Sequence, residues 1–180
     1  AQLRKANEYF SSSKQFKRPE KLFDEFWREG ELALLFGADG VGKSLLAMQI
    51  AEALARGRAI GGFVMTEKRQ KVLYVDLKLS GRQFELRYRG EKKRYKFSEN
   101  LYRSAPPETG NLVEWLRKMI AGSNIRVVVI DDISSISQTF DGTRETLKVM
   151  RELRRLKDEF SLSMLVIAGA RGAGPRAGRL

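Results

Sequence analysis

Eight residues from Gly37 to Ser44, reading GADGVGKS, set three glycines, a lysine and a hydroxyl in the order G-x-x-x-x-G-K-S. The chemistry this order suits is the holding of a polyphosphate. Glycines let the backbone turn sharply and come close to an anion. Successive amides then point inward as an anion-binding nest, and a helix starting at the same point adds the positive end of its dipole. On this reading Gly37, Ala38, Asp39, Gly40, Val41, Gly42, Lys43, Ser44 and Leu45 surround the phosphates. Lys43 reaches the β- and γ-phosphates and the Ser44 hydroxyl ligates Mg²⁺. A glycine-rich turn followed by a chance Lys-Ser is the alternative. The flanks argue against it: Leu32 to Phe36 is a short apolar run fit for a buried strand, and Leu45 to Arg56 reads as a helix stopped by Gly57.

A second feature lies nearly ninety residues on. Ile125 to Asp131, IRVVVID, is a continuous apolar strand that ends in a carboxylate. Ligands of open α/β sheets collect at the carboxyl ends of strands, and in phosphoryl-transfer sites an acid there completes the shell of the Mg²⁺. Asp131 is therefore the expected metal-holding acid beside Ser44. Asp132 follows it and is a candidate for orienting water, or a loop residue with no part in the chemistry. Lys43, Asp131 and Asp132 form the candidate catalytic set.

Several elements must position these residues. Lys71 to Leu77, KVLYVDL, and Ser161 to Ala168, SLSMLVIA, read as buried strands, and Asn100 to Arg103 as a short one. Asn111 with Glu114 resembles a capping box opening a helix over Leu112 to Ala121. Thr143 to Phe160 is a long amphipathic helix with Leu147, Met150, Leu153, Leu156 and Phe160 on its apolar face. Pro19 suits the first turn of a short helix whose Leu22, Phe23, Phe26 and Trp27 share one face. Strands alternate with helices, which predicts an α/β fold: a three-layer αβα sandwich around a mainly parallel sheet. Residues 1–18 read as a flexible arm, 19–168 as the core, and 169–180, rich in Gly, Ala and Arg, as a disordered basic tail.

Composition narrows the partners. The 180 residues carry no cysteine and no histidine, which removes disulfides, thiolate metal sites and the usual general base. No apolar run approaches the roughly 20 residues of a membrane span, and no leader-like apolar segment opens the chain, so a reducing cytoplasm is the expected setting. The net charge of +12 and pI near 10.1 suit an anionic partner, nucleic acid first. Gly81 to Ser98 mixes Arg and Lys with Phe84, Tyr88, Tyr95 and Phe97. That is a composition of single-strand binders and equally of a surface helix packing its rings inward.

From about Pro19 to Ala168 the chain resembles the RecA-like P-loop ATPases, nearest the RepA-like branch of plasmid replication helicases. The likeness rests on EGELALLFGADGVGKSLLAMQIAEALARGR, QKVLYVDLKLSGRQFELRY, VVVIDDISSI and LRRLKDEFSLSMLVIA, in that order. It implies that the Ser161–Ala168 strand lies between the strands carrying the glycine loop and Asp131. It also implies ATP and Mg²⁺ as ligands, with ATP hydrolysis coupled to DNA replication, recombination or mobile-element transactions, often in a homo-oligomeric ring. Two departures stand out. Lys78, in VDLKLS, occupies the position where that family commonly has the Glu that activates water. A lysine, cationic at neutral pH, cannot act as that base; near the γ-phosphate it would strengthen binding and slow hydrolysis. A non-hydrolysing ATP-binding switch is the alternative it raises. Past Ala168, GARGAGPRAGRL stands where the family has a polar sensor motif and further strands, which leaves the glycine-loop strand an exposed edge.

Overall fold

In the computed structural model, which describes residues 3, 5–11, 18–90, 94–106, 110–135 and 142–169, the apolar runs become a five-stranded parallel sheet. Its strands are β3 (Leu32–Gly37), β4 (Val72–Asp76), β5 (Leu101–Ser104), β6 (Val127–Asp131) and β7 (Ser163–Gly169), in the order β3-β7-β6-β4-β5. The last strand among the described residues is thus inserted between those that bear the glycine loop and Asp131, as the family resemblance implies. The register pairs Phe36 with Ala168 and Asp76 with Asp131. These pairings bring the carboxyl ends of the strands to one rim.

β4 and β6 are buried at every position, because both faces of the sheet are covered. Successive side chains point to opposite faces. Val72, Tyr74, Val127, Val129, Leu165 and Ile167 meet the apolar side of α2 (Lys43–Arg56). Leu73, Val75, Val128, Ile130, Met164 and Val166 meet α4 (Leu112–Ile120) and α5 (Gly142–Phe160) through Leu116, Ile120, Leu153 and Leu156. The fold is the predicted αβα sandwich. β3 lies at the sheet edge, paired only with β7 among the described residues, and leaves Leu34 and Phe36 exposed.

One expected helix is not formed. The stretch after Pro19 folds as a hairpin of β1 (Lys21–Phe23) and β2 (Trp27–Arg28), turned at Asp24 with φ 46°. Its apolar residues satisfy a helical period, but long-range bonds override it. The Asp24 amide donates to the Val64 carbonyl at 2.8 Å, and the Thr66 amide to that of Lys21 at 2.7 Å. Leu22 and Trp27 are fully buried against α2 while Phe26 is left exposed, a division one helix face would not produce.

Helix ends follow local chemistry. Gly57 caps α2 in the left-handed region at φ 65°, where a Cβ would stand 2.6 Å from the Glu67 carbonyl oxygen. Asn111 caps α4 by accepting from the Val113 and Glu114 amides. The reciprocal capping box lies elsewhere, on α3 (Gly81–Tyr88). The Ser80 hydroxyl accepts from the Gln83 amide, and the Gln83 side chain accepts from the Ser80 amide. In the N-terminal arm the described residues include α1 (Ala6–Ser11). Ser12 to Lys17, Pro107 and the basic tail beyond Gly169 lie outside the described residues.

Candidate nucleotide site

Gly37 closes β3, and the chain passes through Ala38 to Val41 before Gly42 caps α2 at φ 92°, a conformation that favours glycine. With no side-chain cap, the first amides of α2 are free to take an anion. The Lys43 side chain is nearly buried and folds back over the loop. Its Nζ donates to the Gly37 carbonyl at 2.8 Å and to the Ala38 carbonyl at 2.7 Å, with Asp39 Oδ1 at 3.9 Å.

Across the rim stands Asp131. The Ser44 hydroxyl donates to its Oδ1 at 2.9 Å, and the Tyr74 hydroxyl to its Oδ2 at 2.6 Å. Asp131 is 4% exposed, and burial raises its pKa against the lowering effect of these two hydroxyls. Tyr74 is itself buried beside this carboxylate, so its phenol is held protonated far above its ordinary range. Ser44 and Asp131, 87 residues apart in sequence, are thus in direct contact.

Asp132 follows through a cis peptide bond and is 1% exposed. Its Oδ1 accepts from the Ser134 amide at 2.8 Å, and its Oδ2 lies 2.8 Å from Lys78 Nζ. Burial alone would raise the Asp132 pKa, but the bonds from Lys78 and Ser134 outweigh it and hold the carboxyl below its usual range. Lys78 is shifted the opposite way, upward, chiefly by its bond to Asp132.

The turn that aims Lys78 is built by Asp76. Its Oδ1 accepts from the Lys78 amide at 3.1 Å and the Leu79 amide at 2.8 Å, while its Oδ2 receives Arg103 at 3.0 Å. Arg103 also covers the Phe84 ring, 4.5 Å from its centroid. The Leu77 amide bonds the Asp131 carbonyl at 2.6 Å, tying this turn to β6.

Between the loop, the turn and Asp131 opens a cavity of about 500 Å³, within the range of small-molecule sites. Asp39, Gly40, Gly42, Lys43, Ser44 and Leu45 line one side, and Lys78, Leu79, Arg87 and Asp131 the other. Of the residues named from the sequence, Asp39, Gly40, Gly42, Lys43, Ser44, Leu45 and Asp131 line this cavity, while Gly37, Ala38, Val41 and Asp132 are not among its lining residues. Sequence reasoning did not find Tyr74, Asp76, Arg87 or Arg103. Tyr74 sits inside an apolar strand where a ring reads as core, and the other three gain their meaning only from contacts made across the fold.

An Mg²⁺ fits the donor set. Ser44 and Asp131 offer two hard oxygens in contact, and Mg²⁺ takes one or two protein oxygens and completes its shell with water and phosphate. Among the described residues no larger cluster of acidic metal ligands exists to compete.

The model of the AAA_25 family, described as an AAA domain, matches residues 3–171. Among solved structures, the chain is similar to the KaiC-like protein PH0186 of the hyperthermophilic archaeon Pyrococcus horikoshii OT3. The TM-score is 0.61 at 20% identity, over 87% of this chain and 71% of that one, a likeness of fold. No curated protein sequence matches. No described helix is long and apolar enough to cross a membrane. With the glycine loop, the inserted β7 and a family match spanning nearly the whole chain, the protein belongs to the AAA_25 family of RecA-like P-loop ATPases.

Proposed function

We propose that the chain binds Mg-ATP in the 500 Å³ cavity, hydrolyses it slowly, and couples nucleotide state to a nucleic-acid partner, DNA first. The observation that carries this is the 2.9 Å contact between Ser44 and Asp131, which joins the phosphate loop to the strand-end acid. Ser44 and Asp131 would hold an Mg²⁺ there, which would supply positive charge against the phosphates during transfer. Lys43 leaves the Gly37 and Ala38 carbonyls for the β- and γ-phosphates, and the amides from Ala38 to Leu45 hold the remaining oxygens. Tyr74 favours the charged form of Asp131 against the effect of burial, and orients it, by donating to the oxygen that Ser44 does not use.

A second reading, an ATP-binding switch without useful turnover, is favoured by Lys78. It lines the cavity as a cation, and Asp132, the acid next to Asp131 in the chain, is engaged by Lys78 and Ser134. We assign Asp132 the part of positioning Lys78 rather than of activating water. Phosphoryl transfer depends mainly on positioning and electrostatics, so the lack of a base slows it without abolishing it. The charge of +12 supports an anionic macromolecular partner.

The test is calorimetric titration with ATP in Mg²⁺, followed by turnover with and without single-stranded DNA. Lys43→Ala is expected to lose most of the affinity; unchanged binding would overturn the site. Brisk turnover by the wild type would remove the switch reading.

A further inference from the structure

Beyond the phosphate cavity, three more hollows adjoin one another along the outer side of α2 and beside residues 88–90 and 94–100. One of about 680 Å³ runs from Leu45 past Arg56 and Arg58 to Tyr88, Tyr95 and Phe97. A second, about 500 Å³, is shaped by Arg87, Tyr88, Arg89, Arg94, Tyr95 and Lys96. A third, about 620 Å³, lies between Arg56, Arg58, Arg69 and Lys96. The first two share Tyr88 and Tyr95, and the third joins them through Arg58 and Lys96. The first meets the phosphate cavity at Leu45, and the second meets it at Arg87. Together they form one groove leading away from the nucleotide site.

The groove is cationic and ringed. Among the described residues, the carboxylates lining it are Glu52 and Glu99. Glu52 is buried and engaged by Arg56 at 2.6 Å and by the Ser98 amide. Arg94 is paired with Glu85. Arg58, Arg69, Arg87, Arg89 and Lys96 are exposed, and no ion pair holds them among the described residues. The aromatic cluster is divided in its use. Phe84 and Phe97 pack against the core with Tyr88. Tyr95 rests edge-on against Phe97, 4.8 Å between centroids, and remains 53% exposed.

We propose that this groove binds single-stranded nucleic acid, its phosphates on Arg58, Arg69 and Lys96 and a base stacked on Tyr95. Free guanidinium and ammonium groups suit a polyanion. A ring held from behind with an open face suits an unpaired base, which a duplex keeps inside its stack. This rests on the proposed function in taking nucleic acid as the partner. It adds the place, and through Leu45 and Arg87 a direct route from that place to the nucleotide.

The experiment titrates the full chain into fluorescent oligothymidylate and oligouridylate of about 20 nucleotides, long enough to span a single-strand site. Duplex DNA and vesicles of phosphatidylcholine with phosphatidylserine serve as the other arms. Tyr95→Ala is expected to weaken single-strand binding about tenfold at an unchanged salt slope. Arg58→Glu with Lys96→Glu is expected to weaken it more than tenfold and to flatten the slope by about 0.7 for each phosphate that is no longer neutralised. Arg58→Gln with Lys96→Gln, which adds no negative charge, is expected to do the same to a smaller degree. Mg-ATP affinity, measured on the same samples, is expected to stay at the wild-type value in all three and reports that they fold. Single strands bound equally by wild type and variants would overturn the proposal. So would wild-type protein that takes Mg-ATP but no single strand, or that prefers duplex or vesicles. Loss of Mg-ATP binding in the wild type would instead overturn the nucleotide site, leaving the strand titrations to decide the groove.

Discussion

In the function we propose, Lys78 sets the balance between binding and hydrolysis. Its ammonium stands 2.8 Å from a buried carboxylate, and its side chain is 43% exposed. Lys78→Glu places a second carboxylate beside Asp132 and supplies the missing base. It is expected to raise ATP turnover and lower the stability of the nucleotide-free chain; a rate assay that shows no change would mean that Lys78 is not at the reacting end of the nucleotide. Lys78→Met leaves Asp132 without its cation, at a cost of about 1 kcal/mol after allowance for solvent screening. The sign of the pH dependence follows from the shifts. Asp132 is depressed in the fold, so its contribution is present above the unfolded value of about 3.9 and is lost as pH falls through its folded value. Lys78 is raised, so its contribution holds below about 10.4 and is lost as pH rises beyond that. Urea unfolding of wild type and Lys78→Met should therefore differ most near neutral pH and converge as acid protonates Asp132. Asp131 has the opposite bias, since burial disfavours its charge. Asp131→Asn is expected to raise the melting temperature of the nucleotide-free chain while weakening Mg-ATP binding, the pattern of a group kept for function at some cost to the fold.

At the scale of elements, the turn between β4 and α3 converts strand geometry into site geometry. Asp76 and the Ser80–Gln83 capping box fix its two ends. Ser80→Ala is expected to destabilise the chain by about 1 kcal/mol, as losses of helix caps do, and to weaken Mg-ATP binding less than Lys43→Ala does. The legibility of the sequence differed between elements for physical reasons. GADGVGKS, the buried strands and the long α5 were readable because their signals are local: backbone freedom, apolar continuity and a helical period. Asp131 was readable because a strand end in an α/β sheet has a fixed place. The hairpin of β1 and β2 was not, since Leu22, Phe23, Phe26 and Trp27 also satisfy a helical period. The bonds that decide between the two come from Val64 and Thr66, some forty residues away. Trp27, fully buried with its indole N–H on the Glu31 carbonyl, is the anchor of that hairpin. Trp27→Ala is expected to cost about 3–5 kcal/mol in denaturant unfolding.

Over the whole molecule, the sheet order does the work of assembly. Inserting β7 between β3 and β6 sets the glycine loop and the acid one strand apart, the spacing at which Ser44 and Asp131 touch. The same order places β3 at the edge among the described residues. The partners of Tyr74, Asp76 and Arg103 could not be read in advance for the same reason: they exist only once β4, β5 and β6 lie side by side. The central claim is that two oxygens from opposite halves of the chain jointly hold the ion that carries the nucleotide's charge. The measurement that tests it most directly is calorimetric titration of ATP in Mg²⁺ and in EDTA, for wild type, Ser44→Ala, Asp131→Asn and the double variant. Magnesium is predicted to tighten ATP binding in the wild type. Either substitution is predicted to remove most of that gain, and the double variant to lose little more than either alone. A magnesium effect unchanged by both substitutions would contradict the account.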